Sequence, residues 1–258
     1  MTTSATTLSD LVHARVLDAE LAALCWLLVE GGVPVVVTGG AEASERRRIR
    51  AALLRLPPDA SCSTFDAEQG TLTLGGLGEA FQRGHRVGIV AAGSDLRQMV
   101  ELLTGPAEGL PEDAVRRLGL VLVVGLVPSV APGAVIDRVR VLAAHYLRPL
   151  ERDGQGHVQR RPPAVLATWD PAADVFDHFA WGVVGELADR VDRSRPSFEA
   201  LQADRAAGLA ALAQGSPAAT TLEAILAAEP PREPAPLREA AVPTPLRSPL
   251  TDPPQHTH

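Results

Sequence analysis

The sequence predicts an α/β fold: a mainly parallel sheet flanked by helices, extended on one side by an antiparallel β-meander and followed by C-terminal helices. Three observations carry this. Short apolar runs at residues 33–37, 86–92 and 119–127 are separated by segments of helical period, and strands alternating with helices build parallel sheets. The run Leu120-Val121-Leu122-Val123-Val124 is apolar throughout, as expected of a strand buried on both faces. Beyond residue 137 the connectors become Asp153-Gly154-Gln155-Gly156 and Asp170-Pro171-Ala172-Ala173, which is tight-turn chemistry.

Residues 8–30 carry apolar residues at helical spacing (Leu11, Val12, Val16, Leu21, Leu24, Leu27, Leu28), with Ser9 and Asp10 as caps and Gly31-Gly32 as a stop. Residues 1–32 are therefore an N-terminal helical segment ahead of the sheet-forming unit, 33–185. Strand 33–37 is followed by a turn and by a helix over 46–56, closed by Pro57-Pro58-Asp59. The pattern weakens between 61 and 77, where short strands are expected at 62–65 and 71–74, with a helical stretch at 79–83. Residues 86–92 are β-type, Ser94 or Asp95 caps a helix through Leu103, and Pro111 suits the first turn of a helix to Leu118. Strand 119–127 comes next.

The meander, 137–182, is expected to have strands at 137–147, 157–169 and 175–181. It gathers Tyr146, Trp169, Phe176, Phe179 and Trp181, which read as one hydrophobic face, with a ligand-stacking surface as the alternative. Residues 186–228 hold helices at 198–213 and 220–228. From Glu229 onward nine of thirty residues are proline. That predicts a disordered tail of polyproline character, or alternatively a docking motif for a polyproline-binding partner.

Composition narrows the function classes. The formal charge of −7 and a single basic cluster, Arg46-Arg47-Arg48 with Arg50, argue against a nucleic-acid binder. No apolar run reaches the roughly 18 residues of a membrane helix. Met1-Thr2-Thr3-Ser4-Ala5 lacks the regions of a signal peptide, so a cytoplasmic protein without a membrane span is expected. Cys25 and Cys62 are too few for a disulfide framework. Lysine is absent from the whole chain, leaving arginine as its only strong cation.

The most informative stretch is 35–56. The strand Val35-Val36-Val37-Thr38 enters the small-residue turn Gly39-Gly40-Ala41-Glu42-Ala43-Ser44 and then a helix, which is the layout of a phosphate-binding loop. A working loop reads G-x-x-x-x-G-K-[ST]: glycine lets backbone N–H groups approach, lysine reaches the phosphates, and the hydroxyl binds Mg²⁺. Counting from Gly39, the last three positions hold Ser44, Glu45 and Arg46. Glu42 and Glu45 put carboxylates at a helix N-terminus, where an anion would otherwise be attracted. Successive helix positions point about 100° apart, so at most one or two of Arg46, Arg47 and Arg48 can face the loop.

Several pieces together resemble the C-terminal motor domain of the type II/IV secretion ATPases, over about residues 8–185. The segment from Leu17 to Gly32 resembles the helix before that family's P-loop strand. Val35-Val36-Val37-Thr38-Gly39-Gly40 resembles the start of its "GxTGSGKTT" loop, and Arg50-Ala51-Ala52-Leu53-Leu54 the helix after it. Residues 86–95 sit where the family has its "TxHAxS" segment, and 109–123 resemble the helix and strand that follow. The strands around His145 and Trp169 are similar to its antiparallel extension. The resemblance implies a RecA-like, P-loop-type three-layer core, with ATP and Mg²⁺ as the family's cofactors.

The departures fall on functional positions. Ser44-Glu45-Arg46 replaces Gly-Lys-Thr, and Ala91 or Ala92 replaces the family histidine. Asp66 and Glu68 are the only acids near a Walker B position, and neither follows a convincing apolar strand. Gly39, Gly40, Ser44, Glu45 and Arg46 are thus expected to form a vestigial nucleotide loop, with no catalytic residue, metal ligand or cofactor.

The function expected is that of a non-catalytic binding or regulatory subunit, partnered by an active secretion-type ATPase or by a second copy of itself. One rival is an ATPase of that family holding ATP and Mg²⁺ with arginine in place of lysine. Another is a small-molecule or protein-binding module that uses the aromatic meander. His145, His157 and His178 read as single histidines rather than a metal set. Gly93-Ser94-Asp95 reads as a helix cap rather than a nucleophile elbow.

Overall fold

The computed structural model describes residues 6–55, 61–128, 137–155 and 157–215. Helices α1 (Leu8–His13) and α2 (Ala19–Glu30) occupy the span expected to be one helix. The break has a local cause: Arg15 takes a left-handed φ of 54°, and Asp18 accepts from the Leu21 N–H at 2.9 Å to start a second helix. Strand β1 (Val35–Thr38) leads through the Gly39 loop into α3 (Ala43–Leu54), and β2 (Cys62–Asp66) follows. The strand expected at 71–74 is instead the approach to α4 (Leu74–Gln82), because Thr73 caps that helix at the Gly76 N–H. Then come β3 (Arg86–Val90), α5 (Leu96–Thr104), capped by Asp95 rather than Ser94, α6 (Glu112–Arg117) and β4 (Leu120–Val127).

The meander is more broken than its sequence suggests. Strand β5 (Arg138–Tyr146) matches, but 157–169 divides into β7 (Val158–Gln159), which pairs with β6 (Glu151–Arg152), and β8 (Ala164–Asp170). Pro162-Pro163 lies at the break, where neither residue has an N–H to offer a ladder. Strand β9 (Val175–His178), α7 (Val184–Arg190) and α8 (Arg195–Ala213) complete the described chain. The expected closure at 57–59, the helix at 220–228 and the proline-rich tail lie outside the described residues.

One seven-stranded sheet runs β2-β3-β1-β4-β5-β8-β9. The first four strands are parallel, with Val36 opposite both Ile89 and Val121. The last three are antiparallel, β4 pairing β5 from Leu120/Tyr146 to Val127/Arg138. Burial explains the valine-rich strands: Val35 and Val37 face one apolar cluster with α2, α3 and α8, while Val36 faces a second with α4, α5 and α6. Strand β1 is covered on both sides, which favours apolar residues throughout, and its one polar residue, Thr38, is buried with its hydroxyl hydrogen-bonded. Among the described residues no helix is long and apolar enough to cross a membrane.

The meander aromatics do not share one buried face. Tyr146 is buried and Phe176 packs against the core, whereas Phe179 and Trp181 are exposed.

Candidate functional site

Helix α3, which follows β1, packs on one face of the sheet, and α5, which follows β3, packs on the other. Adjacent parallel strands whose connections leave to opposite faces open a crevice at their carboxyl ends, the usual ligand position in such sheets. The Gly39 loop lies at that position.

Here the crevice is laced shut. The Thr38 hydroxyl, fully buried, donates to the carbonyls of Ala92 (3.0 Å) and Gly93 (3.1 Å) in the loop after β3. The Gly39 N–H donates to the Gly93 carbonyl at 2.8 Å, and the Ala41 N–H to the Val124 carbonyl at 3.3 Å. Gly39 has φ 119°, and a Cβ there would lie 1.9 Å from the Val124 carbonyl oxygen. Only glycine fits, because the loop backbone rests directly on β4. Two of the loop's N–H groups are thus committed to protein carbonyls.

The interior of the loop is filled by Arg46. Its guanidinium, buried to 6% exposure, donates to the carbonyls of Gly39 (2.8 Å) and Ala41 and to the Glu68 carboxylate (2.5 Å). The polarity is the reverse of a phosphate cradle: carbonyl oxygens point inward and surround a cation, where a P-loop presents N–H groups to an anion. Glu45, at the lysine position, points away and accepts from Arg48 at 2.6 and 2.9 Å on the helix surface. Ser44 is exposed, with its hydroxyl 3.4 Å from Glu42, and Gly40 is exposed with open space beside it. Arg46, and not Glu45, is the side chain turned into the loop.

The neighbouring arginines of the cluster are also paired. Arg47 donates to Asp66 at 2.7 Å, and Arg50 donates to the Phe65 carbonyl at 3.0 Å. Half-burial pulls the Arg50 pKa down, the Asp66 charge opposes this, and Arg47 adds to the lowering. Asp66 is buried at the end of β2 and also accepts from the Gln69 N–H at 3.2 Å. So α3 is tied to the end of β2 through Glu68, Asp66 and the Phe65 carbonyl. Of the three consecutive arginines, one faces the loop, one faces β2, and Arg48 faces outward, as 100° steps require.

Asp66 and Glu68 therefore meet α3, which their weak local pattern conceals: β2 is an edge strand with alternating exposure. A usable signal for Arg46 does exist in the sequence. It lies on the same helical stripe as Ile49, Arg50 and Leu53, at i+3, i+4 and i+7, and Ile49 and Leu53 are core residues. An arginine on the buried stripe must find acceptors inside.

The histidines sit apart. His178 Nε2 lies 2.8 Å from Asp18, and His157 Nδ1 lies 3.1 Å from Asp153. His145 is partly buried, which lowers its pKa by desolvation. Among the described residues no group of three His, Cys, Asp or Glu side chains is placed to hold a metal ion. No protein-family model and no curated protein matches the sequence.

Proposed function

We propose that this chain is a non-catalytic, protein-binding subunit on a degenerate P-loop-type scaffold of the secretion-ATPase kind, its nucleotide loop sealed from within by Arg46. The observation that carries this reading is the Arg46 guanidinium held by the carbonyls of Gly39 and Ala41 and by Glu68. ATP would have to expel a buried cation and then face the carbonyl oxygens it leaves behind. Phosphoryl transfer depends on positioned cations and donors around the phosphates, and this loop offers acceptors. The central place of β1 between two parallel neighbours supports a RecA-like ancestry. A scaffold without its chemistry is retained for its surfaces, and the partner we propose is an active ATPase of the same kind or a second copy.

A second reading has one observation in its favour. Arg46 is in the loop, and its Nε has no hydrogen-bond partner, so a guanidinium that swung toward a γ-phosphate would stand in for lysine. Phosphate release with Mg²⁺ and ATP separates the two. The sealed loop gives no release above background in the wild type or in Arg46→Ala. Turnover in the wild type that disappears in Arg46→Ala would establish the second reading instead.

A further inference from the structure

A groove of about 380 Å³ runs between α2, the end of β9, the turn after it and α8, and none of the loop residues lines it. Trp181 stands at its side with 76% of its surface exposed. An indole that open leaves a large apolar area in water, and burying it would be favourable. Residues 199, 202, 203 and 206 recur at helical spacing, so one face of α8 forms a wall. Ala203 and Ala206 make that wall shallow and apolar. Two carboxylates border it. Glu20 has a side chain 55% exposed, and Glu199 is 47% exposed with only a surface partner, Arg195, one turn away. His178 closes the end, held by Asp18 at 2.8 Å, while Glu20 lies 3.7 Å from it.

We propose that this groove is a docking site for an arginine or lysine side chain carried by a partner protein. Each part of such a side chain meets a matching surface. Its aliphatic stem lies along the alanines, as basic side chains do on apolar surfaces. The cationic head meets the face of Trp181 and the two carboxylates, which combines cation–π attraction with charge-assisted hydrogen bonds. An acidic side chain would meet like charge there, and a neutral polar one would lack the charge that strengthens a hydrogen bond to a carboxylate. The net charge of −7 adds long-range attraction for a basic partner. The site goes beyond the reading of the loop and does not depend on it.

The test follows the Trp181 indole resonance of the full-length protein by NMR, assigned through its loss in Trp181→Phe. The probe is a short acetylated, amidated peptide with one arginine between alanines, and its control carries citrulline, the neutral isostere, at that place. The arginine peptide moves the resonance saturably and the citrulline peptide does not. Glu20→Gln combined with Glu199→Gln weakens the arginine peptide roughly tenfold, the effect of losing about one charge-assisted contact. No saturable shift, an equal response to citrulline, or full affinity in the double variant would overturn the proposal. So would movement of the resonance without peptide in Arg232→Gln/Arg238→Gln/Arg247→Gln, which would make the chain's own C-terminal residues the occupant. Failure here leaves the sealed loop standing, and ATP binding at the loop leaves the groove standing.

Discussion

Replacing Arg46 by alanine removes one cation from three acceptors. Hydrogen bonds to charged groups contribute about 1.5–3 kcal/mol each, and breaking a buried ion pair from one side costs about 3–5 kcal/mol. Two features reduce the sum. Glu68 is 29% exposed, so water re-solvates its carboxylate once Arg46 is gone, and the space vacated beside the Gly39 and Ala41 carbonyls is polar enough to take water. The lower end applies, and Arg46→Ala should lose about 3 kcal/mol of unfolding free energy. Arg48→Ala is the internal control, because its partner Glu45 is on the helix surface with both side chains about one-third exposed. That pair should cost no more than about 0.5 kcal/mol. Urea unfolding followed by circular dichroism measures both, provided that the denaturant slope stays constant. Arg46→Lys should fall between them, since an ammonium cannot span three acceptors as a planar guanidinium does. A loss below about 1 kcal/mol in Arg46→Ala, or one equal to that of Arg48→Ala, would refute the claim that the guanidinium holds the loop together.

Gly39→Ala puts a methyl group into the Val124 carbonyl oxygen at a φ that L-residues avoid; soluble yield and thermal midpoint should both drop far more than in Gly40→Ala, where the space is open. His178 is desolvated, which by itself lowers its pKa, but the hydrogen bond and charge of Asp18, helped by Glu20 and Asp177, raise it overall. With the folded pKa above the unfolded one, its stabilisation is full below about pH 6.5 and is lost as pH rises through the folded value; the wild type should therefore lose unfolding free energy over that rise, and His178→Gln should flatten the loss when urea unfolding is repeated across pH. Burial pushes the Cys25 thiol up to about 12, while Cys62 is exposed, so iodoacetamide should label only Cys62 in the native protein, as peptide mapping would reveal.

The parallel half of the fold was legible because burial on both faces forces continuous apolar strands, and Val35, Val36 and Val37 satisfy that literally. Helix breaks were less legible. The apolar period runs through residues 8–30 without fault, and the interruption depends on Arg15 taking a positive φ and on Asp18 capping, which spacing does not encode. Strand β2 was only half visible, since an edge strand has one neighbour and needs no continuous apolar run. At the loop, counting from Gly39 puts Ser44, Glu45 and Arg46 where a phosphate-binding loop would carry glycine, lysine and a hydroxyl. What fills the space could not be counted, because Glu68 lies 22 residues from Arg46 and only the closing of β2 beside β3 brings it into reach. The 100° step shows that Arg46, Arg47 and Arg48 cannot all face the loop, but the partners that Arg46 and Arg47 find, Glu68 and Asp66, depend on where β2 lies, while Arg48 pairs with Glu45 on its own helix.

The sealed loop is tested most directly by calorimetric titration of the full-length protein with ATP in the presence of Mg²⁺. With Arg46 on the Gly39 and Ala41 carbonyls and on Glu68, no saturable heat is expected. The variant Ser44→Gly/Glu45→Lys/Arg46→Thr, which supplies the glycine, cation and hydroxyl of a phosphate-binding loop, should gain binding that the parent lacks. A low-micromolar dissociation constant for the wild type would contradict the account.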